Sequence, residues 1–225
     1  MLLRLPLVLR AGHKLRLRRT AMFMQSLPSA TPTSLIYRPS SWVERLPLGG
    51  MFPVARPLEV ELGSGDGSFL AQWAKLVSGR NFLGVERLLG RLRKLDRKGQ
   101  RAGLTNLRLM RIEASYFLEF LLPLASVEAL HIYFPDPWPK RRHRKNRLVN
   151  ERFPELVARV LAPAGVVYLR TDDEDYFGQM LEVFAADKRF AFMETPNDLA
   201  VVVTDFERGF QARGVATRRA AYRVS

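Results

Sequence analysis

Length, composition and charge limit the classes of protein to which this chain can belong. It has 225 residues, of which 47% are hydrophobic, enough for one packed core with at most a small appendage. The formal net charge of +14 favours a polyanionic partner, with nucleic acid ahead of an anionic membrane surface. The absence of cysteine excludes disulfides and thiolate zinc sites, and the three histidines lack metal-ligand spacing, so no metal site is predicted. No apolar run approaches the length of a membrane span.

The first 34 residues form a basic extension with six Lys/Arg and no acid. Arg4 and Arg10 interrupt its only apolar stretch, so no secretory signal is predicted and we expect a cytoplasmic protein. Two interpretations remain open for residues 1–34. One is a basic arm that contacts nucleic acid. The other is a disordered or untranslated segment with no folded role, such as a transit peptide or the product of an upstream start codon, with Met22 or Met24 as the true beginning. We expect the folded domain to span residues 35–225, with 35–56 an irregular lead-in that packs as a lid over the site.

From residue 57 onward, strand patterns alternate with helix patterns. Short apolar runs predict strands at 57–62, 81–86, 106–112, 127–134, 165–170, 189–194 and 220–224. Helical periodicity predicts helices at 68–77, 88–103, 115–124, 147–161 and 172–187. Alternation of this kind predicts an α/β fold with a mostly parallel sheet that is covered by helices on both faces.

A proline-rich basic segment, FPDPWPKRRHRKNR (134–147), follows the fourth predicted strand, and we call it the strap. Prolines at 135, 137 and 139 disfavour the helical region for the residue before each, which predicts that Phe134, Asp136 and Trp138 are extended. A strand-to-helix junction in an open α/β sheet lies at the edge where ligands bind. Six Lys/Arg between Lys140 and Arg147 therefore predict a phosphate-binding patch beside a fixed acid and indole.

Acidic residues stand at or just beyond the ends of the first five predicted strands. They are Glu61, Glu86, Glu113, Asp136 and Asp172. Since the carboxyl ends of parallel strands meet at one edge of a sheet, we expect these side chains to line one rim. Any single one of them is equally well explained as a helix cap or a solvated loop residue. The five together favour a binding site.

A glycine turn, GSGDG (63–67), follows the first strand and narrows the class of ligand. Gly63 and Gly65 let a ligand come close to the backbone, and Glu86, 21 residues beyond Gly65, stands where an acid binds a ribose diol. Asp66 and Ser68 disfavour the pyrophosphate of a nicotinamide dinucleotide. A nucleoside without phosphates and with cationic parts fits better, and S-adenosylmethionine has that chemistry.

Five blocks of this sequence together resemble a known family. LEVELGSGDGSFL, FLGVE, IYFPDPWPKRRHRKNRLVNERF, YLRTDDEDYF and VVVTDFERGF are similar to the successive motifs of bacterial tRNA (guanine-N7)-methyltransferases of the TrmB type. The resemblance runs from about residue 35 to the C-terminus, and the strap with its RxxKxRL pattern is the specific part. It implies a Rossmann-like, class I methyltransferase fold with seven strands and a reversed last strand. It also implies S-adenosylmethionine as donor and N7 of guanine 46 in the tRNA variable loop as acceptor.

The resemblance also implies roles for individual residues. The cofactor acids of the family match Glu61, Glu86, Glu113 and Asp136. The contacts to tRNA and guanine match Lys140, Arg142, Arg144, Lys145, Arg147, Asp172, Thr204, Asp205, Phe206 and Glu207. Glu113 departs from the family's Asp or Asn, so we expect its contact to be longer or lost. The C-terminal RRAAYRVS lacks the Trp-Asp ending of some members, and relatives of this type include both monomers and homodimers.

The implied chemistry needs no general base, because N7 of guanine carries a lone pair and no proton. Alignment then supplies much of the rate, and Asp136 is our first choice for stabilising the cationic product base. Two alternatives remain for Asp136: it only holds the methionine amino group, or it caps the following helix. Asp172 and Glu207 are expected to accept the guanine N1–H and N2–H₂ donors, and Trp138 is either a stacking surface or a packed anchor. The rival functions are another S-adenosylmethionine-dependent RNA methyltransferase, a non-catalytic RNA-binding protein on the same fold and, more distantly, a nicotinamide-dependent oxidoreductase.

Overall fold

The computed structural model describes residues 34–225, and strands alternate with helices from Leu58 to the C-terminus. The strands are β1 Leu58–Leu62, β2 Asn81–Val85, β3 Leu107–Met110, β4 Val127–Tyr133, β5 Leu161–Thr171, β6 Phe190–Met193 and β7 Arg218–Val224. The helices are α1 Leu70–Leu76, α2 Leu89–Arg101, α3 Ala114–Tyr116, α4 Phe153–Val160, α5 Glu174–Ala185, α6 Asn197–Ala200 and α7 Asp205–Gln211. The expectations for residues 1–33 lie outside the described part of the chain.

The seven strands form one sheet in the order β3-β2-β1-β4-β5-β7-β6. Strands β1 to β5 pair in parallel, and β7 runs antiparallel to both of its neighbours. The predicted mostly parallel sheet with a reversed last strand is therefore confirmed. The chain moves outward from β1 to β3 and then returns to place β4 on the other side of β1. That reversal is a topological switch point, where parallel sheets leave a crevice at the carboxyl ends of the strands.

Both faces of the sheet are buried, because successive side chains of each strand point to opposite sides. On one face Val60, Leu62 and their neighbours pack against the helices that follow β3, β4 and β5. On the other face Phe82 and Leu107 pack against α1 and α2. A Cβ at Gly67 would overlap the Leu95 side chain, so only glycine lets the turn after β1 lie directly on α2. This close approach places the glycine turn at the edge of the crevice.

Several helices differ from the prediction. The segment predicted as a helix at 147–161 is helical only from Phe153, because Pro154 lies in the first turn, where a missing N–H costs no hydrogen bond. Residues Arg141–Asn146 of the strap form a 3₁₀ helix. The segment predicted at 115–124 is a single turn of α3 that widens into a π-helix at Phe117–Leu121. Leu76, the last residue of α1, is exposed.

The strap is not extended throughout, contrary to the prediction. Phe134 and Trp138 have φ angles of +51° and +44°, in the left-handed region that bulky residues seldom adopt. The proline rule disfavours only the right-handed helical region for the preceding residue, so it does not exclude this conformation. Each such residue costs on the order of 1–3 kcal/mol and persists only where its surroundings hold it. The N–H of Phe134 donates to the Arg170 carbonyl over 2.8 Å, which fixes the start of the strap to β5.

Candidate functional site

A cleft of about 250 Å³ opens at the carboxyl edge of the sheet, at the switch point beside β1 and β4. Its walls come from the glycine turn after β1, from residues 85–88 at the end of β2, from residues 112–114 after β3, and from the strap. Three of the predicted cofactor acids, Glu86, Glu113 and Asp136, line this one cleft. The parallel sheet brings them together although 50 residues separate the first from the last.

Glu86 fixes the glycine turn against the end of β2. Its Oε2 accepts a hydrogen bond from the Gly65 N–H over 3.0 Å, and its Oε1 accepts one from Leu88 N–H over 2.7 Å. Gly63 and Gly65 have φ angles of +76° and +56°, and nothing lies within 4 Å of the space a Cβ would take on Gly63. A ligand can therefore approach the backbone there. Because a carboxylate can accept about four hydrogen bonds, Glu86 keeps acceptor capacity for a ribose diol.

Glu61, one residue before the cleft wall, is buried without full hydrogen bonding. Only 3% of its surface is exposed, and its Oε2 has no hydrogen-bond partner among the described residues. Burial raises the pKa of the Glu61 carboxyl to about 8, an effect that Arg170 opposes and that Glu86 and Asp66 reinforce. Buried polar atoms in native proteins are normally paired, so this oxygen marks a place that a ligand's donor group can satisfy. The residues present thus fit a nucleoside with a cationic, hydrogen-bond-donating tail.

The pKa of Glu61 predicts a pH dependence of stability. The pKa of Glu61 in the folded protein, about 8, lies above the ordinary value of 4.5. The stability that the protonated carboxyl contributes is therefore complete below pH 4.5 and is lost as the pH rises through about 8. Replacing Glu61 with Gln removes the ionisation, and we expect the unfolding free energy of the variant to fall less with rising pH. The difference in slope is at most about 1.4 kcal/mol per pH unit. Urea unfolding of both proteins across this range measures it, and parallel pH profiles would contradict the assignment.

Glu113 lines the cleft, but both of its carboxylate oxygens serve as the N-cap of α3. They accept hydrogen bonds from Ser115 N–H over 2.9 Å and from Tyr116 N–H over 2.8 Å. The longer Glu reaches back over the first turn of the helix, and this capping takes one acceptor position on each oxygen. The expectation that its cofactor contact is longer than that of an Asp or Asn, or lost, stays a prediction.

Asp136 is exposed in the cleft wall between two prolines, and the strained Phe134 and Trp138 stand two residues to either side. It does not cap the helices that follow, because Lys140 and Arg152 occupy the N-cap positions of the 3₁₀ helix and of α4. The capping alternative is therefore wrong. Trp138 also lines the cleft and meets His143 edge-on, with ring centroids 5.9 Å apart. The Trp138 ring thus packs against His143, and the residue is still partly exposed.

Arg147, predicted to bind RNA phosphate, is instead a buried anchor of the strap. It is 1% exposed, and its guanidinium donates to the Pro137 carbonyl over 2.7 Å, to Gln179 Oε1 over 2.8 Å and to Asp175 Oδ2 over 2.6 Å. It also stacks on the Tyr176 ring, 4.7 Å from the centroid. All of its polar contacts join the strap to itself or to α5, so the prediction for Arg147 is wrong.

Asp175, at the start of α5, was missed in the sequence because it stands among other acids of a helix N-terminus. Besides Arg147 it pairs with Arg144, whose Nη2 donates to Oδ1 over 2.7 Å. The hydrogen bond from Arg147 lowers the pKa of the Asp175 carboxyl. Lys140, Arg142 and Lys145 are exposed along the strap. These three, with the partly exposed Arg144, remain the candidates for phosphate contact.

Thr204 and Glu207 form a capping box at the start of α7. Thr204 Oγ1 accepts from Glu207 N–H over 3.0 Å, and Glu207 Oε2 accepts from Thr204 N–H over 2.9 Å. Glu207 is fully buried and forms ion pairs at 2.9 Å with both Arg170 and Arg219. A carboxylate held in this way has no access to a guanine, so the predicted guanine contact of Glu207 is wrong. Thr204 likewise serves as a cap.

Arg170, which the sequence did not single out, holds the α6–α7 segment on the sheet. It is buried and donates to the carbonyls of Leu199 and Val202 over 2.7 and 2.8 Å, in addition to Glu207. The same guanidinium lies 4.2 Å from the centroid of the Tyr133 ring. Arg170 therefore connects the strand end below the cleft with the segment beside it.

The remaining predicted substrate contacts lie at the surface near the cleft. Phe206 is 52% exposed, with its ring centroid 6.2 Å from that of Phe134. Asp205 is exposed and forms an ion pair with Arg208. Asp172 is half-buried directly after β5 and does not line the cleft itself. Of the five rim acids, three line the cleft, Glu61 is buried next to the lining residue Leu62, and Asp172 directly follows β5.

Two further features concern the described residues 34–225. None of their helices is long and apolar enough to cross a membrane. Within the same range, no group of three or more His, Asp or Glu side chains is arranged to hold a metal ion.

Comparison with known proteins identifies the family. A family model described as "Putative methyltransferase" matches residues 55–220. A tRNA (guanine-N(7)-)-methyltransferase of Halorhodospira halophila is 36% identical over 184 residues, which cover 79% of each chain. One of Rubrobacter xylanophilus is 40% identical over 140 residues, which cover 62% of each chain. A 30S ribosomal A1408 methyltransferase from an uncultured bacterium shares the fold, with a TM-score of 0.53, 18% identity and coverage of 75% of this chain and 88% of that one. The chain therefore belongs to the family of bacterial tRNA (guanine-N7)-methyltransferases, which have the class I methyltransferase fold.

Proposed function

We propose that this protein transfers a methyl group from S-adenosylmethionine to N7 of guanine 46 in the variable loop of tRNA, in the cytoplasm. The observation that carries the proposal is the cleft at the switch point. There Glu86 and Asp136 line one cleft beside the basic strap, and Glu61, whose Oε2 has no hydrogen-bond partner among the described residues, stands one residue before the cleft wall. The names of the relatives support the choice of tRNA and of N7. The methyltransferase domain is proposed to span residues 35–225 and to act as a monomer or homodimer.

The cofactor site is proposed to consist of Glu61, Gly63, Gly65, Glu86 and Asp136. Glu113, which caps α3, is left out of it. The glycine turn has no side chains that would keep the nucleoside away from its backbone at Gly63 and Gly65. Glu86 accepts hydrogen bonds from the ribose. The partnerless oxygen of Glu61 accepts a hydrogen bond from a donor group of the tail. Bound S-adenosylmethionine would supply an electrophilic methyl group on a positively charged sulfur.

The protein's own contribution to the chemistry is alignment and charge. Guanine N7 needs no deprotonation, so no side chain has to accept a proton from it. The Asp136 carboxylate, held by its flanking prolines, stabilises the positive charge that develops on the base. Asp172 accepts the N1–H and N2–H₂ donors, now without the help of Glu207. The exposed rings of Trp138 and Phe206 offer stacking surfaces for a base that has left its stack, which costs a few kcal/mol.

The strap provides the sequence-independent part of binding. Lys140, Arg142, Arg144 and Lys145 contact phosphates, and the contacts of Arg147 and Asp175 hold the strap in place while they do so. An ionic patch of this kind increases affinity and association rate and weakens as salt increases.

Label transfer from methyl-labelled S-adenosylmethionine tests the proposal. Purified protein is incubated separately with tRNA and with ribosomal RNA from the same cells, and we expect label in tRNA alone. Label in ribosomal RNA alone would assign the protein to a different class of RNA methyltransferase. No label in either RNA, together with donor binding absent by calorimetry, would favour a non-catalytic RNA-binding protein and overturn the proposal.

A further inference from the structure

A second basic groove of about 730 Å³ lies next to the cofactor cleft, where the lead-in segment crosses the start of α2. Three arginines from separate parts of the chain line it: Arg38 from the lead-in, Arg93 from α2 and Arg111 directly after β3. Tyr37 and Trp42 also line it, and Trp42 is 47% exposed. We call this feature the α2 groove.

The guanidinium groups of the α2 groove are not neutralised. Among the described residues, no carboxylate forms an ion pair with Arg38, Arg93 or Arg111. Asp96, the one acid of α2, accepts hydrogen bonds from the Leu35 N–H and the Ser34 hydroxyl instead. Residues 1–33 contain no Asp or Glu, so they add no acidic side chain to balance this charge. The groove therefore presents a strong positive potential to an anionic partner.

The α2 groove lies beside the cleft. Arg87 and Arg91 line the cleft, and Leu89 and Arg93, on the same stretch of chain, line the groove. The Arg111 side chain donates to the Arg87 carbonyl over 3.3 Å, which joins the two features directly. The strap forms a different wall of the cleft. A nucleotide bound in the cleft thus has cationic side chains beside it on two walls.

We propose that the α2 groove binds the RNA backbone next to the target guanosine, as a phosphate-binding surface distinct from the strap. The inference rests on the proposed function, because the partner is the same tRNA. The guanidinium groups contact phosphate oxygens, and the aromatic surface of Trp42 and Tyr37 stacks with an unpaired base or covers a ribose. The chemistry favours RNA over an acidic protein surface because the groove lies beside the proposed nucleoside site.

A matched pair of triple variants tests the α2 groove. The first carries Arg38→Gln, Arg93→Gln and Arg111→Gln. The control carries Lys75→Gln, Arg101→Gln and Lys188→Gln, three exposed cations at the opposite, amino-terminal edge of the sheet. Both lose three charges, so the overall charge is equal. We expect the groove variant alone to show a plot of log K against log salt that is shallower by about two to three units, and therefore to bind tRNA roughly 10²- to 10³-fold more weakly near about 0.1 M salt.

Three further measurements make the outcome decisive. Thermal unfolding and donor affinity by calorimetry are expected to be unchanged in both variants, and the rate at saturating tRNA is expected to stay near that of the wild type. A groove variant whose affinity and salt slope equal those of the control would overturn the inference while leaving the proposed function intact. If the wild type binds tRNA through the groove but methylates none, the proposed function fails and the groove assignment stands.

Discussion

Replacing Asp136 with Ala is expected to lower the rate of methyl transfer at saturating donor and tRNA by about 10²- to 10³-fold, the range for loss of one preorganised charge-stabilising group. The carboxylate stands exposed in the cleft, fixed by Pro135 and Pro137. The methylated base is cationic, so a fixed negative charge beside it stabilises the transition state more than the neutral substrate. Affinity for tRNA is expected to stay within about twofold, because the phosphate contacts come from other residues.

Single-turnover kinetics with saturating donor, together with calorimetric donor affinity, separates the two remaining roles of Asp136. If Asp136 only holds the donor's amino group, affinity for the donor falls and high donor concentration restores the rate. Replacement of Glu182, an exposed acid on α5, with Ala serves as a control for the change in net charge. An Asp136→Ala protein that turns over at close to the normal rate would remove this residue from the mechanism.

Replacing Glu207 with Ala is expected to destabilise the protein by about 3–5 kcal/mol, because it leaves the buried Arg170 without its carboxylate. The second partner, Arg219, loses its ion pair as well, and the capping box at α7 is broken. Since Arg170 holds the α6–α7 segment on the sheet beside Tyr133, methyl transfer is expected to fall with stability.

Urea unfolding compares this loss with that of a surface pair. Glu174 pairs with Arg218 over 2.9 Å, but 83% of the Glu174 side chain is exposed, so Glu174→Ala is expected to cost at most about 1 kcal/mol. Equal, small losses for both variants would show that Glu207 is not a structural anchor. Normal stability combined with a lower rate would restore the original prediction, in which Glu207 contacts guanine directly.

The strands of the sheet could be predicted because the pattern that indicates each one lies within a few consecutive residues. Runs such as LEVEL and NFLGV are short, apolar and bounded by glycine, proline or polar residues, and the structure places each of the seven strands within a few residues of its predicted position. Helix α6 was missed because its 4 residues are too few for periodicity to show, and α7 was missed because the capping-box spacing of Thr204 and Glu207 was not used. Long-range contacts from Arg170 hold them in place, and no local pattern reveals those.

The site was predicted less completely, for the same physical reason. Arg147 looks like its neighbours in the basic run, and its burial is decided by Asp175, Tyr176 and Gln179, about thirty residues away in sequence. Glu207 was different, since the spacing of Thr204 and Glu207 is that of a capping box and was visible in the sequence. The left-handed conformation of Phe134 and Trp138 could not be predicted from the sequence. The proline rule disfavours the right-handed helical region for the preceding residue but does not select among the other regions.

Chemical mapping of N7-methylguanine in tRNA tests the central claim most directly. Unmodified tRNA is incubated with the protein and S-adenosylmethionine, then cleaved selectively at N7-methylated guanines. A single new cleavage at guanine 46 of the variable loop, absent when donor is omitted or when the Asp136→Ala protein is used, is the result that we predict. Methylation at another atom or another nucleotide, or none with a folded, donor-binding protein, would contradict the account.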